Sequence, residues 1–385
     1  MPSLFREVEC APLPVAELLA ASQWGVRSRG VRDIVLDMRY APDEDMLLNP
    51  TPRSVWARVT RAAPDCAAEL ATHYAVADPY GAERGASVIS GFFSIPLSPA
   101  QLTFGAGVTP LLHGLARLAG HGVVAAPALV HSDLEVWAAS QGATIRIFDA
   151  AAPWDQIAAA MHRQRPAVLH LDRPAFAGDV MPLVLVARLI DAAVDAGTIV
   201  IVDEAPATYL GPRASVARLV STMDNLVVVR GFTKAYSMGG MRAAFALASR
   251  NIASRVRDVI APLQISELSL TVALRLLGEG DMVARLADRI RAMKPDVVAL
   301  FRSAGFAVID AHPDLPWIAM RDDDGAAARR LESLGIRPLL PTTAIAFPAA
   351  YRVNPILRVT IPLSVTRMEC LRGLLDTSVA PAGAR

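Results

Sequence analysis

Of the 38 basic residues in this 385-residue chain, only Lys234 and Lys294 are lysines, and the other 36 are arginines. Arginine and lysine replace each other at most solvated positions. They part where an uncharged amine must act as a nucleophile, because a guanidinium keeps its proton to above pH ~12. Lys234 lies in Asn225–Arg242, NLVVVRGFTKAYSMGGMR, where an apolar run gives way to Thr233-Lys234 and a Gly-Gly pair precedes Arg242. That spacing predicts a lysine in a loop just past the C-terminal end of a strand, where open α/β sheets bind their ligands. Its flanks are small and apolar, which favours chemistry over a solvated side chain. Lys294, followed by Pro295 in a helical stretch, matches no motif and reads as incidental.

Three other segments carry candidate chemistry. Ile199–Leu210, IVIVDEAPATYL, is an apolar strand ending in Asp203. That carboxylate serves either as a turn residue or as the anion of a ligand crevice. Leu102–Thr109, LTFGAGVT, runs from a strand into a Gly-rich turn at a helix start, where free N–H groups and the helix dipole favour an anion. Tight packing explains the same glycines. Leu357–Leu363, LRVTIPL, opens on Arg358 amid apolar residues, and so abundant a residue type also fits a structural role.

The elements that must position these groups follow from periodicity. Short apolar runs alternate with helical stretches from Gln101 onward: strands at Gly122–Ala126, Thr144–Phe148, Ala167–Leu171, Thr198–Val202 and Leu226–Val229, and helices at Val108–Leu118, Leu134–Gln141, Trp154–His162 and Pro182–Ala196. Such alternation marks βαβ units and a mostly parallel sheet buried on both faces. Helices follow from about 256 to 301. The tail (strands near 306–309, 317–320, 336–340 and 357–361, helix from 365 to 377) reads as a smaller α+β unit. The expected division is 1–60 as an N-terminal arm contributing to the small domain, 61–285 as the large domain and 286–385 as the small C-terminal domain.

Composition narrows the function classes. Hydrophobic residues make up 53% of the chain, which excludes general disorder. A net charge of +1 gives no basic surplus for nucleic acid or an anionic membrane. Cys10, Cys66 and Cys370 lie far apart with no CxxC and no histidine cluster, so neither a disulfide framework nor a metal site is expected, and the usage suits a reducing cytoplasm. No targeting segment and no apolar run of about 18 residues is seen.

Taken together, in order, from about residue 70 to 370, the four motifs resemble the fold-type I pyridoxal 5′-phosphate (PLP) enzymes. The closest similarity is to class I/II aminotransferases of the histidinol-phosphate aminotransferase and threonine-phosphate decarboxylase branch. The family's Ser-Lys pair and following Gly-x-Arg read here as Thr233-Lys234 and Gly240-Met241-Arg242, and its DEAY strand end as Asp203-Glu204-Ala205. The resemblance implies an α/β PLP-transferase fold with a large, mostly parallel sheet and a smaller α+β domain, in a homodimer. It implies Lys234 as the Schiff-base lysine and Asp203 as the partner of the pyridine nitrogen. The Ala106 and Gly107 backbone, Thr233 and Arg242 would bind the phosphate, and Arg358 the substrate's α-carboxylate. His131 falls near the family's ring-stacking aromatic, or is a loop histidine. Tyr74 would reach the partner's phosphate, with Tyr80 competing for that role.

Departures from the family pattern are specific. Within Asp172–Gly178, DRPAFAG, the usual Asn is read at Ala175, and the Tyr after the strand-end Asp is Pro206. Both usual donors to the PLP phenolic oxygen are thus absent, with Tyr209, His170 or His131 to fill in, and Gly231 replaces a hydroxyl residue of the phosphate cup. The expected function is an aminotransferase acting on an α-amino acid through a Lys234 Schiff base, in specialised biosynthesis. The alternative is a diverged decarboxylase, lyase, cyclase or oxidase on the same fold. A PLP-sensing module would need a DNA-binding extension that the sequence lacks. A dinucleotide dehydrogenase would need its acid about 20 residues after the glycine turn, whereas Asp203 lies about 100 residues on.

Overall fold

The computed structural model describes residues 4–9, 34–61, 69, 72, 76–149, 151–353 and 355–376. In chain order the strands are β1 (Arg6–Glu7), β2 (Leu36–Asp37), β3 (Leu102–Gly105), β4 (Val123–Pro127), β5 (Thr144–Phe148), β6 (Val168–Asp172) and β7 (Ile199–Asp203). They continue with β8 (Leu226–Gly231), β9 (Ala244–Ala248), β10 (Val308–Ile309), β11 (Trp317–Arg321), β12 (Ile336–Arg337) and β13 (Ile356–Thr360). The main sheet runs β1-β5-β4-β6-β7-β8-β9-β3. Its centre, β5-β4-β6-β7-β8, is parallel, as the βαβ alternation requires. The antiparallel edge β8-β9-β3 includes a strand that the sequence reading missed, because AFALA carries no β-branched residue.

The N-terminal arm is less irregular than expected. Its Arg6–Glu7 pair extends the large sheet antiparallel to β5, and β2 pairs with β12. A second sheet, β10-β11-β13, carries Arg358 on its last strand. Two local signals place helices where the site needs them. Gly197 takes φ 73° and closes the Leu183–Ala196 helix, turning the chain directly into β7. Ser266 caps the Glu267–Gly278 helix by accepting from the Ser269 N–H.

The second lysine is not incidental. Lys294 lies within the Ala284–Ser303 helix with only 7% of its surface exposed, and its ammonium donates to the carbonyls of His312 and Leu315. A compact ammonium fits between two carbonyls where a planar guanidinium does not.

Side chains alternate across a strand, so adjacent residues go to opposite faces. At the ends of β6 and β7 this alternation sorts two charged dipeptides, Asp172-Arg173 and Asp203-Glu204. The ladder continues one residue past each strand, through Arg173 N–H to Asp203 C=O (2.9 Å) and Glu204 N–H to Val229 C=O (2.8 Å). Asp172 and Asp203 therefore share one face with His170, the face packed on the Val108–Ala116 and Asp133–Ser140 helices. Arg173 and Glu204 share the other with Arg230. There Glu204, fully buried, accepts from Arg173 (3.0 Å), Arg230 (3.1 Å) and the Val216 N–H (2.9 Å), and from the Ser215 hydroxyl. Arg173 also donates to the carbonyls of Met181 and Ala214, which fixes the loop from 173 to 181.

Removing Glu204 would leave two buried guanidinium groups without their anion, a loss of about 3–5 kcal/mol for broken buried pairs. Glu204→Ala should lower the unfolding free energy by ~3 kcal/mol or more in a urea titration. A loss under ~1 kcal/mol would mean that the arginines find other partners.

Candidate active site

The C-terminal ends of β6, β7 and β8 converge on a pocket lined by Val130, His131, Asp172, Asp203, Lys234 and Arg358, with Pro174, Phe176, Pro206, Leu339 and Thr342 completing its walls. The motifs carrying Asp203, Lys234 and Arg358, scattered over about 150 residues of sequence, thus meet at one place. Lys234 follows β8 in a tight turn in which the Tyr236 N–H bonds its carbonyl (2.7 Å). Ala235, Ser237 and Arg242 take left-handed φ values of 59°, 53° and 52°. Such conformations in residues with a Cβ cost on the order of 1 kcal/mol each and persist where surrounding contacts impose them.

Charge is dense in this pocket. Asp172 and Asp203 are paired in register on adjacent parallel strands. Ligand-type atoms of His170, Asp172 and Asp203 all lie within 4.8 Å of one another. Asp203 accepts the Ala205 N–H (2.7 Å). Asp172 accepts the His131 N–H on Oδ2 (2.7 Å), while its Oδ1 is buried without a partner. Burial, with the Asp203 charge beside it, pushes the Asp172 carboxyl up to about 6. Beneath them His170 contacts Glu135 (2.7 Å), both fully buried. Burial alone would lower the imidazole's pKa, but the Glu135 carboxylate outweighs it and holds the ring up at about 9. A histidine that keeps its proton at neutral pH is a poor metal ligand, so this cluster is better suited to holding protons than an ion.

The cations answer this charge. Burial, followed by the Arg358 charge, pulls the Lys234 amine down to about 8, against the opposing pull of Asp203 and Asp172. Arg358 lies between two rings, 4.9 Å from the Phe176 centroid and 4.6 Å from that of Trp317, and burial pulls it down to about 10. Its backbone bonds Leu339 in both directions, which brings the 339–342 segment over the pocket. Thr342 then accepts the Ser132 N–H (2.8 Å), tying that segment to the loop after β4.

The glycine turn supplies an anion cradle. Gly107 has φ 103°, and a Cβ there would collide with the Arg242 guanidinium, so Arg242 packs directly against the start of the Val108–Ala116 helix. Ala106, Gly107 and the first N–H groups of that helix thus sit beside a cation, on the Lys234 side of the sheet. Thr233 is half-buried beside Lys234, and its methyl touches the space over Gly239. Gly231 leaves room that the Val108 side chain takes, which accounts for the missing hydroxyl.

Other expectations fare differently. Tyr74 lies outside the described residues. Tyr80 spends its hydroxyl on the Arg257 carbonyl (3.4 Å), within its own subunit. Tyr209 donates to Glu44 (2.8 and 2.9 Å), a carboxyl that burial pushes up to about 8, and His170 is engaged by Glu135. Of the three candidates to replace the missing donors, only His131 lines the pocket. Ala175 lies on a neighbouring cavity and not on the lysine pocket. Asp172 and Thr342 were missed. Asp172 ends the LHLD strand as Asp203 ends IVIVD, so the same signal marks it.

A family model for aminotransferase class I and II matches residues 52–372. The chain belongs to that family. The aromatic amino acid aminotransferase of Mycobacterium marinum is 30% identical over 126 residues, 32% of this chain and 35% of that relative, so the match takes in about a third of the relative's length. Two solved structures share the fold. Histidinol-phosphate aminotransferase from Sinorhizobium meliloti in complex with pyridoxal-5′-phosphate has a TM-score of 0.71 at 19% identity, with 90% of this chain and 92% of that one covered. L-Threonine-O-3-phosphate decarboxylase from Porphyromonas gingivalis has a TM-score of 0.67 at 14% identity, over 90% of this chain and 100% of the other. The fold is that of the fold-type I PLP-dependent transferases, and the family's cofactor is PLP. The residues present fit it: Asp203 and Lys234 line one pocket, which offers a carboxylate for a protonated ring nitrogen and an amine for the aldehyde, and Arg242 against the Gly107 turn offers a cradle for a phosphate.

Two outcomes follow. Gly107→Ala should push Arg242 out of the cradle and weaken PLP binding by at least ~10-fold in equilibrium dialysis; unchanged affinity would place the phosphate elsewhere. An amine with a pKa of about 8 gains its reactive neutral form as pH rises. Uptake of PLP by the apoprotein, followed by absorbance, should therefore speed up about tenfold per pH unit below 8 and level off above it. A plateau reached only near pH 10 would mean that Lys234 is an ordinary exposed lysine.

Proposed function

We propose that this chain is an aminotransferase that takes the amino group from an α-amino acid. The observation that carries this reading is the convergence of Lys234, Asp203 and Arg358 on one pocket. PLP supplies an aldehyde for amines and a ring that accepts electrons from the bonds at Cα.

The protein's part is binding, orientation and proton handling. Asp203 would hold a proton on the ring nitrogen, with the His170-Glu135 pair beneath keeping that carboxylate in place. Arg358 takes the α-carboxylate in a two-point contact, its plane fixed between Phe176 and Trp317. Lys234, whose amine burial pulls down to about 8, would take up and return the substrate's α-proton at Nζ. Val130, Phe176 and Leu339 exclude water from that transfer. Thr233, Arg242 and the Ala106-Gly107 backbone would anchor the phosphate.

The same reading assigns residues 1–60 to an arm and part of the small domain, 61–285 to the large domain and 286–385 to the small one. It also makes the protein a cytoplasmic homodimer in which Tyr74 reaches the partner's site. Among the described residues no helix is long and apolar enough to cross a membrane. The similarity to the aromatic amino acid aminotransferase of M. marinum directs the first substrate panel to aromatic amino acids. A second reading rests on Pro206, which lines the pocket without a donor. An electronically altered ring would suit decarboxylation, elimination, cyclisation or oxidation of an amino acid.

The purified protein should be yellow, and Lys234→Ala should lose or shift the visible band. A colourless protein that cannot be reconstituted with PLP rules the reading out. Incubation with amino acids should yield pyridoxamine phosphate; release of CO₂, peroxide or an alkene without it favours the second reading. Arg358→Leu should keep the colour and raise KM by about 100-fold, since it removes a charged pair to the carboxylate.

A further inference from the structure

Glu44 belongs to the N-terminal arm, yet only 5% of its surface is exposed. The Tyr209 hydroxyl donates to its two oxygens (2.9 and 2.8 Å), and the Ala235 N–H bears on the same pair. Asp43 and Asp45 flank Glu44 on the arm, and the Arg358 charge faces Tyr209. Ala235 is the residue after Lys234, fully buried, with a left-handed φ of 59°. A residue with a Cβ keeps that conformation where surrounding contacts impose it. Glu44 and Tyr209 are two such contacts.

The arm is anchored in turn on the strand that carries Arg358. The Thr360 N–H donates to the Met38 carbonyl (2.7 Å) and its hydroxyl to the Tyr40 carbonyl (2.8 Å). The Asp43 carboxylate accepts the N–H groups of Leu363 (3.0 Å) and Ser364 (2.7 Å). Tyr209 itself lies in the Ala207–Leu210 turn that follows β7 and Asp203. Its ring meets Trp317 nearly edge-on (centroids 6.1 Å apart, planes at 76°), and Trp317 covers Arg358. The segments bearing Asp203, Lys234 and Arg358 thus meet a second time, behind the pocket, at Glu44. Neither Glu44 nor Tyr209 lines the pocket, so each acts through what it holds.

We propose that Glu44 is a positioning residue for Lys234: held by the Tyr209 hydroxyl, its carboxyl fixes the Ala235 turn that aims the amine into the pocket. The arm then completes the reacting centre without touching substrate. The inference rests on the reading above that Lys234 is the residue that engages PLP. A displacement of ~1 Å at a reacting atom costs on the order of 100-fold in rate, so a turn left unheld is felt in the chemistry before it is felt in binding. Burial pushes the Glu44 carboxyl up to about 8 against the Tyr209 hydroxyl. The neutral acid is therefore the form present near pH 7, and Glu44→Gln mimics it in shape and in its donor and acceptor.

Two cofactor forms separate aim from cradle. The full-length apoprotein is mixed at pH 7 with PLP, which reacts with Lys234, or titrated with pyridoxine 5′-phosphate, which carries the phosphate but no aldehyde. Glu44→Leu should slow the appearance of the visible band by at least about tenfold and change that band's circular dichroism in the holoenzyme. Its affinity for pyridoxine phosphate should stay within about threefold of wild type. Glu44→Gln should restore the rate to within about threefold. Tyr209→Phe, which removes one hydroxyl, should slow it by at least about threefold, and decides the matter on the same terms should Glu44→Leu fail to fold. A Glu44→Leu rate and dichroism equal to wild type overturn the proposal. So does Glu44→Gln as slow as Glu44→Leu, or a loss of pyridoxine phosphate affinity that keeps pace with the loss of rate, since general loosening moves both. A wild-type protein that stays colourless with PLP overturns the role of Lys234 and this inference together; a yellow one indifferent to Glu44 overturns this inference alone.

Discussion

Two carboxylates side by side in a low-dielectric interior are the constraint around which this site is built. The register of β6 on β7 places Asp172 opposite Asp203 with both side chains on one face. Neither can move away without breaking the parallel ladder, so their repulsion must be met by other groups. It is met from three directions: by the charged His170 on Glu135 from below, by the His131 N–H from the side, and by Lys234 and Arg358 from above. Burial raises the Asp172 carboxyl, with the Asp203 charge adding to it, and lowers the Lys234 amine, with the Arg358 charge adding to it, while the opposite charges around each hold both shifts back. The Lys234 amine finds burial and a neighbouring guanidinium favouring its neutral, nucleophilic form.

The opposite face of the same sheet solves a different problem. Asp203 can be held still only if the strand end beyond it is fixed, and Glu204 does this by gathering Arg173 and Arg230 on the far side. The alternation of a strand thus lets two adjacent acids serve separate ends, one turned to chemistry and the other to anchorage. Arg173 does the same for Asp172, and its further bond to the Met181 carbonyl closes the 173–181 loop that carries Phe176. A buried ion cluster of this kind adds little net stability relative to apolar packing. What it adds is a defined position for the loop that divides the lysine pocket from the neighbouring cavity.

Much of this was legible in the sequence, for physical reasons that differ by residue. The parallel core was legible because strands buried on both faces are continuous apolar runs, and Lys234 because its amine cannot be replaced by arginine. Asp203 and Arg358 stood out through motif order. The β9 strand was not legible, since AFALA has the composition of a helix and becomes a strand only through pairing with β8 and β3. Nor was the partner of Asp172, because register between strands some 30 residues apart is a tertiary fact. The path of the loop bearing Ala175 was not legible either, because it depends on where Arg173 finds its anion.

Lys294 shows how far the scarcity of lysine reaches. Its ammonium holds the carbonyls of His312 and Leu315, and the His312 N–H in turn bonds the Gly178 carbonyl (3.1 Å). At Gly178, φ is 102° and a Cβ would meet Ala311 and the Trp317 indole, so the two segments pack with no side chain between them. That clamp joins the loop bearing Phe176 to the strand bearing Trp317, and those two rings enclose Arg358. Both lysines therefore bear on the surroundings of Arg358, Lys234 from within the pocket and Lys294 through the scaffold behind it. Arginine has replaced lysine throughout the solvated surface, and the two that remain are where a small, pliable ammonium is the only cation that fits.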